Sequence, residues 1–167
     1  IHSRYRRPFI DLAKEADFWR RKIPNLMGPE GIVYGDKVIN IVNRKREAYP
    51  NSISAVNAVA NGEIGMAFSN WVKKDDTSKV RKLKLSAIKV EFASQEGYSY
   101  QYDGRDFGEE SDPSLELAYA LTVHKAQGSE FDAVMVLLPP RPHPLVSREW
   151  LYTALSRARQ RVILYAA

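Results

Sequence analysis

The chain has 167 residues, of which 44% are hydrophobic and 27% are charged, and it contains no cysteine. This composition is typical of a globular protein with one domain, or with one domain that carries an insert. The absence of cysteine excludes disulfides and every cysteine-based zinc, iron–sulfur or thiol-nucleophile site. The three histidines, His2, His124 and His143, are scattered without a metal-ligand spacing, so we expect no metal site.

Lysine and arginine number 25 against 20 aspartates and glutamates, which gives a formal net charge of +5. A basic balance is compatible with a nucleic-acid partner but does not establish one. No apolar stretch is long enough to span a membrane, and no signal peptide opens the chain. We therefore expect an intracellular, cytoplasmic protein. Because the chain begins with Ile1 instead of methionine, we also expect it to be a fragment of a longer polypeptide.

The first 45 residues contain two predicted elements. Residues 8–23 have apolar side chains at helical spacing and predict an amphipathic helix. A loop with proline and glycine follows over residues 24–31. Residues 35–43 predict a turn that enters a strand, and the basic run Arg44-Lys45-Arg46 ends it.

The middle of the chain has the pattern of short strands. Asn61-Gly62 is a strong turn signal, and residues 64–72 predict a strand. Residues 82–85 and 88–92 alternate charged with apolar side chains, and residues 97–102 alternate aromatic with polar ones. Small modules built from such strands are usually barrels of the SH3 or OB kind. An acidic linker over residues 103–116 follows this β-rich part.

From residue 117 onward, predicted strands alternate with predicted helices. Residues 117–121 predict a strand, Thr122 caps a helix through Gln127, and Gly128 ends it. Residues 133–138 predict a strand covered on both faces. Ser147 caps a second helix that extends to about Arg159, and residues 162–165 predict the last strand. This alternation predicts an α/β fold with an open parallel sheet, into which the β-rich part is inserted.

Two elements of a self-sufficient P-loop ATPase are missing from the sequence. None of the nine glycines is followed by lysine, so the loop that cradles phosphates is absent. No aspartate is followed by glutamate, so the usual acidic pair for Mg²⁺ and the attacking water is absent too. We therefore expect this fragment alone to be inactive in ATP hydrolysis.

Residues 122–131 form the first motif that could bind a ligand, because they follow a predicted strand at the sheet edge where α/β proteins bind ligands. The side chains of Thr122, His124 and Lys125, with N–H groups at a helix start, could receive a backbone phosphate. Glu130 could accept a hydrogen bond from a ribose hydroxyl. The alternative is purely structural: Thr122 caps, Gly128 ends the helix, and the charged side chains are solvated. Composition alone favours this alternative.

Residues 152–159 form the second motif and carry Arg157 and Arg159 away from the apolar stripe of their helix. The planar guanidinium of arginine is suited to stabilise charge on a transferring phosphoryl group. The alternative is that two cations near the end of a helix interact favourably with its dipole. Taken alone, this motif leaves both interpretations open.

The two motifs together, Thr-Val-His-Lys-Ala-Gln-Gly-Ser-Glu-Phe and then Leu-Tyr-Thr-Ala-Leu-Ser-Arg-Ala-Arg, closely resemble motifs V and VI of superfamily 1 helicases. The Gln-Gly-Ser-Glu form is most similar to the RecD-type branch, with UvrD-type enzymes next. The resemblance covers residues 117–167 and extends more weakly to 35–43 and 61–65. It implies a second RecA-like domain with a P-loop-NTPase-like sheet, formed by residues 1–45 and 111–167. It also implies an inserted SH3-like barrel over residues 46–110.

The resemblance further implies roles for individual residues. Thr122 and His124, with Lys125 as a less certain neighbour, would contact the backbone of single-stranded DNA. Gly128 and Glu130 would face the nucleotide, Arg157 would act as the arginine finger, and Arg159 would help it or be structural. Arg4, Arg6 and Arg7 lie near the expected place of the motif IV arginine but in no matching context.

The implied whole enzyme is an ATP-dependent DNA helicase, with functions in DNA repair and recombination. ATP and Mg²⁺ would be bound mainly by an N-terminal RecA-like domain of the same polypeptide, which carries the Walker motifs. No membrane partner is implied.

Two other functions compete with the helicase motor domain. The first is a non-catalytic nucleic-acid-binding module that uses the basic β-rich insert as a charged, stacking surface. Its candidate residues are Lys73, Lys74, Lys79, Arg81, Lys82, Lys84 and Lys89 with Tyr98, Tyr100 and Tyr102. A solvated barrel exterior over buried tyrosines is a simpler explanation of the same residues and is somewhat favoured. The second is a RecA-like domain retained as a regulatory or scaffold element.

Overall fold

The structure is a computed structural model that describes residues 6, 27–33, 35–73, 84–107, 113–141 and 143–166. The chain divides into two compact units, Ile1–Ala120 and Leu121–Ala167. The described residues are mostly β-structure with one α-helix. The amphipathic helix predicted over residues 8–23 lies outside the described residues.

The first unit is built around a six-stranded antiparallel sheet. The described strands of the first unit, in chain order, are β1 (Lys37–Asn40), β2 (Arg44–Lys45), β3 (Ala48–Tyr49), β4 (Ala58–Val59), β5 (Ile64–Lys73), β6 (Lys84–Phe92), β7 (Ser99–Asp103) and β8 (Leu115–Leu117). A 3-10 helix, Gly104–Phe107, follows β7. The large sheet has the order β3-β7-β6-β5-β1-β8, and β2 pairs with β4 separately.

Two glycines explain how β5 enters this sheet. Gly62 has a φ of 93°, so the predicted Asn61-Gly62 turn is confirmed, and it uses the left-handed backbone that glycine favours. Gly65 lies where β5 and β6 approach closely. A Cβ atom at position 65 would lie 2.3 Å from the carbonyl oxygen of Glu91, so any other residue would push the two strands apart.

The core of the first unit is apolar, with a polar network inside it. Tyr100 and Tyr102 on β7 are fully buried and pack at an angle against Phe92. The Tyr102 hydroxyl donates to Asn40 Oδ1 at 3.0 Å, and Asn40 Nδ2 donates to the carbonyl oxygens of Val42 and Ala60 at 2.8 Å each. Tyr100 and Tyr102 therefore cannot stack on nucleic-acid bases, which corrects that part of the predicted binding surface.

A buried ion pair joins Arg6 to the turn before β1. Arg6 Nε donates to Asp36 Oδ1 at 2.9 Å, and the two side chains are 7% and 0% exposed. Asp36 also accepts from the Val33 N–H at 2.8 Å and from the Tyr119 hydroxyl at 3.1 Å. Burial, followed by the negative charge of Asp36, raises the pKa of Tyr119. The Arg6 side chain thus forms a buried ion pair within the first unit.

The second unit contains a parallel strand–helix–strand arrangement. β9 (Phe131–Leu138) pairs in parallel with β10 (Ala158–Ala166), and the helix α1 (Arg148–Leu155) connects them. Ser147 caps α1 as predicted, and its hydroxyl accepts from the Trp150 N–H at 3.2 Å. The predicted strands over residues 133–138 and 162–165 are confirmed. None of the helices that the structure describes has the length and apolar character needed to cross a bilayer.

Several element predictions are wrong in this part of the chain. Residues 123–128 form turns instead of a helix, in which Ala126 N donates to the Thr122 oxygen and Gln127 N to the His124 oxygen. The bond from Ala126 N to the Thr122 oxygen is the one with α-helical spacing, and a single such bond does not nucleate a helix. Gly128, whose φ is 88°, then ends the turns. Helix α1 ends at Leu155 instead of about Arg159, because Ala158 already pairs with Phe131 in the sheet. The prediction that β9 is covered on both faces is also wrong, since Met135 and Leu137 are more than half exposed.

The sheet topology differs from the predicted fold class. Among the described residues, parallel pairing occurs only between β9 and β10, and the predicted strand at residue 117 is part of β8, antiparallel to β1. The edge strands β3 and β8 of the large sheet do not pair with each other, so the described sheet is not a closed barrel. The same sheet takes β1 and β8 from the predicted motor domain and β5 to β7 from the predicted insert. The division into residues 1–45 with 111–167 and residues 46–110 stays a prediction.

The buried pair of Arg6 and Asp36 gives a stability prediction. Changing Asp36→Ala should lower the free energy of unfolding by about 3–5 kcal/mol, because it leaves the Arg6 charge buried without its partner. Changing Arg105→Ala is the matched control: it removes an ion pair with Asp103 in which the arginine side chain is 90% exposed, and its effect on stability should be small by comparison. Urea unfolding of both variants measures the two values. Equal costs would contradict the structural role of Asp36.

Candidate functional site

The loop between residues 122 and 130 is a compact series of turns that leads into β9. The Thr122 hydroxyl accepts from the Lys125 N–H at 3.3 Å, which fixes the first turn, and Ser129 N donates to the Ala126 oxygen at 3.1 Å. Thr122 and His124 are exposed and Lys125 is half-buried. The loop therefore presents a hydroxyl and an imidazole to solvent on a backbone held by its own hydrogen bonds.

Arg157 connects the end of helix α1 to this loop. Its Nε donates to the Thr153 carbonyl oxygen at 3.2 Å, and its Nη1 donates to the Ser129 carbonyl oxygen at 3.4 Å. Its Nη2 donates to the Ser156 hydroxyl oxygen at 3.1 Å. The guanidinium is half-buried and has its orientation set by three acceptors from two separate segments.

The pairing of β9 with β10 brings the predicted nucleotide residues together. Phe131 N donates to the Arg157 carbonyl oxygen at 2.9 Å, so the segment before β9 runs beside the segment before β10. Arg159 Nε lies 3.6 Å from Glu130 Oε2, and both side chains are about two-thirds exposed. Gly128 is exposed in the same loop. The structure thus brings Glu130 beside Arg159 and Ser129 beside Arg157, and Gly128 precedes Ser129 in the same loop. The residues predicted to bind DNA, Thr122, His124 and Lys125, lie nearer the start of that loop.

The described residues contain no group of three or more histidine, cysteine, aspartate or glutamate side chains that could hold a metal ion. The carboxylate of Glu130 is beside a guanidinium and not beside other carboxylates. An Mg²⁺ ion, which prefers several carboxylate and phosphate oxygens, does not fit the described part of this site.

A second candidate site is a cationic cleft in the first unit, with a volume of about 580 Å³. We use the name "cationic cleft" for the space lined by five basic and three acidic side chains, together with Tyr49. These residues are Arg44, Lys45, Arg46, Lys89, Arg105, Glu47, Asp103 and Asp106. Only Lys89 among them is a candidate binding residue from the sequence, although the run Arg44-Lys45-Arg46 is a visible signal of positive charge.

Asp106 holds two of the arginines that line the cationic cleft. Its carboxylate is almost fully buried and accepts from Arg44 Nη1 at 3.0 Å, from the Asp103 N–H at 2.8 Å and from the Arg46 guanidinium. Burial acts to raise the pKa of Asp106, but the hydrogen bonds from Arg46 and Asp103 and the charge of Arg46 outweigh it. The pKa of Asp106 therefore lies below its ordinary value.

The basic residues of the cleft differ in how accessible they are to a ligand. The Arg46 side chain is 8% exposed, and its guanidinium lies 3.7 Å from the Tyr102 ring centroid, so it belongs to the wall. The positive charge of Arg46 lowers the pKa of Tyr102, but burial has the larger effect and raises it overall. Lys89 Nζ lies 4.1 Å from the centroid of the exposed Tyr49 ring. Arg44, Lys45 and Arg105 are exposed.

The lowered pKa of Asp106 gives a prediction for the pH dependence of stability. Its folded pKa lies below the value of 3.8 expected for an unperturbed aspartate, so its contribution is complete above that value and is lost as the pH falls through the folded pKa. Asp106→Asn should lower the free energy of unfolding at neutral pH. It should also make stability depend less on pH below about pH 4 than in the unchanged chain. Denaturant unfolding at several pH values measures this, and parallel pH profiles would contradict it.

Comparisons with known proteins concern mainly the second unit and the strand before it. Residues 117–165 match the family of UvrD-like helicase C-terminal domains. The ATP-dependent RecD2 DNA helicase of Deinococcus radiodurans is 54% identical over 48 residues, which are 29% of this chain and 7% of that helicase. The RecBCD enzyme subunit RecD of Mycobacterium tuberculosis is 48% identical over 48 residues, or 29% of this chain and 8% of that subunit.

One match covers more of this chain. An uncharacterized protein of Methanocaldococcus jannaschii is 31% identical over 131 residues, which are 76% of this chain and 10% of that protein. The chain thus spans at most about a tenth of the length of the relatives that it matches.

Proposed function

We propose, on the premise that residues 117–165 belong to the UvrD-like helicase C-terminal domain family and are of RecD type, that this chain is the C-terminal motor domain of an ATP-dependent DNA helicase. The observation that carries this proposal is the position of Arg157. Its guanidinium is held between the end of α1 and the carbonyl oxygen of Ser129, the residue between Gly128 and Glu130 in the loop before β9. The chain would be incomplete as an enzyme without an N-terminal domain that carries the Walker motifs.

In this proposal, Arg157 is the arginine finger. Three acceptors hold its planar guanidinium, so it can face the charge that develops on a transferring phosphoryl group. Glu130 would accept from the ribose, and Gly128 would let the backbone approach the nucleotide. Because Arg159 lies 3.6 Å from Glu130, we propose that Arg159 orients that carboxylate.

Thr122, His124 and Lys125 would contact the backbone of single-stranded DNA. Contacts to phosphate and sugar hold a strand without reading its sequence, and hydroxyl, imidazole and ammonium groups are suited to them. The exposure of Thr122 and His124 supports this role, because a strand can reach both side chains. ATP binding would close the cleft between two RecA-like domains and hydrolysis would reopen it, so the DNA contacts would move with each cycle.

The finer fold assignment is part of the same proposal. The parallel β9–α1–β10 arrangement supports a RecA-like sheet in the C-terminal part of residues 111–167, because parallel strands joined by a helix are the repeating unit of such sheets. We assign residues 1–45 to the same domain from the sequence resemblance, since β1 and β8 pair antiparallel in the large sheet. The antiparallel pairing of β5, β6 and β7 within residues 46–110 supports an SH3-like insert. We assign Mg²⁺ and most of the ATP contacts to the N-terminal RecA-like domain of the same polypeptide, and we derive no step through the metal.

The arginine-finger assignment predicts a separation of two activities in the complete polypeptide. Arg157→Ala should lower the kcat of DNA-stimulated ATP hydrolysis by on the order of 10³ and leave affinity for single-stranded DNA within about twofold. Arg157→Lys should restore little, because an ammonium group lacks the planar fork. His124→Ala should instead weaken DNA binding and DNA stimulation more than basal hydrolysis. Steady-state ATPase assays and a binding titration at fixed salt measure both quantities.

Arg161→Ala is a suitable control for these variants, since Arg161 is an exposed arginine on β10, a few residues after Arg157. It should behave like the unchanged enzyme in both assays. If Arg157→Ala keeps near-normal DNA-stimulated turnover, Arg157 is not the arginine finger.

A second function, a nucleic-acid-binding module in the basic β-rich part, is supported by the cationic cleft. The exposed cations Arg44, Lys45 and Arg105 line the same cleft as Tyr49, and basic side chains with an aromatic ring are a common surface for single strands. This surface differs from the one that the sequence predicted, since Tyr100 and Tyr102 are buried. Residues 74–83, with four of the seven basic residues predicted for that surface, lie outside the described residues.

The binding-module proposal predicts a change in salt dependence. Changing Lys45→Ala and Arg105→Ala together should weaken binding of an oligonucleotide at all sequences. The slope of log affinity against log salt concentration should fall by about one for each phosphate that the variant no longer neutralises. Lys37→Ala is the control, since Lys37 is exposed on β1 and does not line the cleft. Fluorescence anisotropy at a series of salt concentrations measures the slopes, and identical slopes for all variants would rule out the cleft.

A further inference from the structure

Ser156 lies directly after the last residue of helix α1 and directly before Arg157. Its backbone N–H donates to the Tyr152 carbonyl oxygen at 2.9 Å, which ends the helix. Any residue could supply that bond. The Ser156 side chain does something more specific: its hydroxyl donates to the Thr153 carbonyl oxygen at 3.0 Å and accepts from Arg157 Nη2 at 3.1 Å.

These bonds make a closed arrangement around the Arg157 guanidinium. The Thr153 carbonyl oxygen accepts from the Ser156 hydroxyl and from Arg157 Nε, the latter at 3.2 Å. Thr153 is itself fixed, because its hydroxyl donates to the Glu149 carbonyl oxygen at 2.8 Å. Nε and Nη2 of Arg157 therefore both contact the end of α1, and Nη1 reaches across to the Ser129 carbonyl oxygen.

The pattern of donors bears on what the guanidinium can still bind. A guanidinium has five N–H groups, and the three bonds to Thr153, Ser129 and Ser156 use one on each nitrogen. One N–H on each terminal nitrogen is left for a ligand, which is the pair that can bind a phosphate in a bidentate manner. Without its anchors, the long side chain would sample many rotamers, and ordering it again would oppose transition-state stabilisation.

We propose that Ser156 is a positioning residue for Arg157, whose hydroxyl fixes the plane of the guanidinium in the orientation needed at the transition state of phosphoryl transfer. This inference rests on the proposed function, because it assumes that Arg157 meets the nucleotide. Ser156 is exposed, so removing its hydroxyl opens no cavity and leaves no buried group without a partner. The effect of Ser156→Ala should therefore act through Arg157 and not through folding.

The test uses the complete polypeptide and four variants. Ser156→Ala should lower the kcat of DNA-stimulated ATP hydrolysis by about tenfold, while the KM for ATP and the affinity for single-stranded DNA stay within about twofold. Ser156→Thr keeps the hydroxyl and should stay within about threefold of the unchanged enzyme. Ser147→Ala removes the cap at the other end of the same helix and controls for loss of helix stability; its kcat should be near normal well below the unfolding temperature. Arg157→Ala sets the limit of complete loss.

A second measurement does not depend on turnover. Affinity for ADP with aluminium fluoride, which mimics the transferring phosphoryl group, should fall in Ser156→Ala, while affinity for ADP alone should not change. Thr153 and Ser129 would still hold the guanidinium, so the loss should be smaller than in Arg157→Ala.

The possible results separate the two levels of the proposal. Normal kcat and normal analogue affinity in Ser156→Ala, with inactive Arg157→Ala, would overturn the positioning role and leave the arginine finger in place. Equal losses in Ser156→Ala and Ser147→Ala would overturn it too, because they would show an effect of helix stability. Near-normal turnover in Arg157→Ala would overturn the proposed function itself.

Discussion

The parallel pairing of β9 with β10 is the constraint on which the candidate site depends. Its first hydrogen bond runs from the Phe131 N–H to the Arg157 carbonyl oxygen, so the segments before the two strands lie next to each other. Residues 128–130 and 157–159 are therefore neighbours, although nearly thirty residues separate them along the chain. The strand pairing therefore brings one carboxylate and two guanidinium groups to the same edge of the sheet.

Helix α1 adds the second constraint, because its last turn supplies acceptors for Arg157. The carbonyl groups at the end of a helix have no partners within it and attract cations. Here the Thr153 carbonyl oxygen accepts a hydrogen bond from Arg157 Nε. The premature end of the helix at Leu155 is what makes this possible, since a helix that continued to residue 159 would turn Arg157 away from the loop at Ser129.

Local patterns in the sequence predicted those parts of the fold that local interactions determine. The Ser147 cap, the Asn61-Gly62 turn and the apolar run of β9 each need only a few neighbouring residues. Local patterns did not bring Glu130 and Arg157 into one hypothesis; the resemblance to helicase motifs V and VI did. They failed for residues 122–127, where one helical hydrogen bond formed but Gly128 ended the turns before a helix could propagate.

Contacts between distant residues could not be predicted in this way. Asp106 joins Arg44 and Arg46 across about sixty residues, and nothing near Asp106 in the sequence distinguishes it from the other acidic residues of the linker. The same is true of Arg6 and Asp36, and of the pairing between β1 and β8. The alternation of apolar and polar residues showed that strands were present, but the order of strands in a sheet is a property of the whole chain.

The antiparallel pairing of β1 with β8 has a consequence for how this part of the chain can vary. Asn40 lies opposite Leu115 on one side of β1, and Ile39 lies opposite Ile64 of β5 on the other side, so the chain between β1 and β8 supplies further strands to the same sheet. The entropy of closing a flexible loop grows slowly, by about 0.6 kcal/mol for each doubling of its length. Turns between the strands of residues 41–114 can therefore change in length while both neighbours of β1 keep their register.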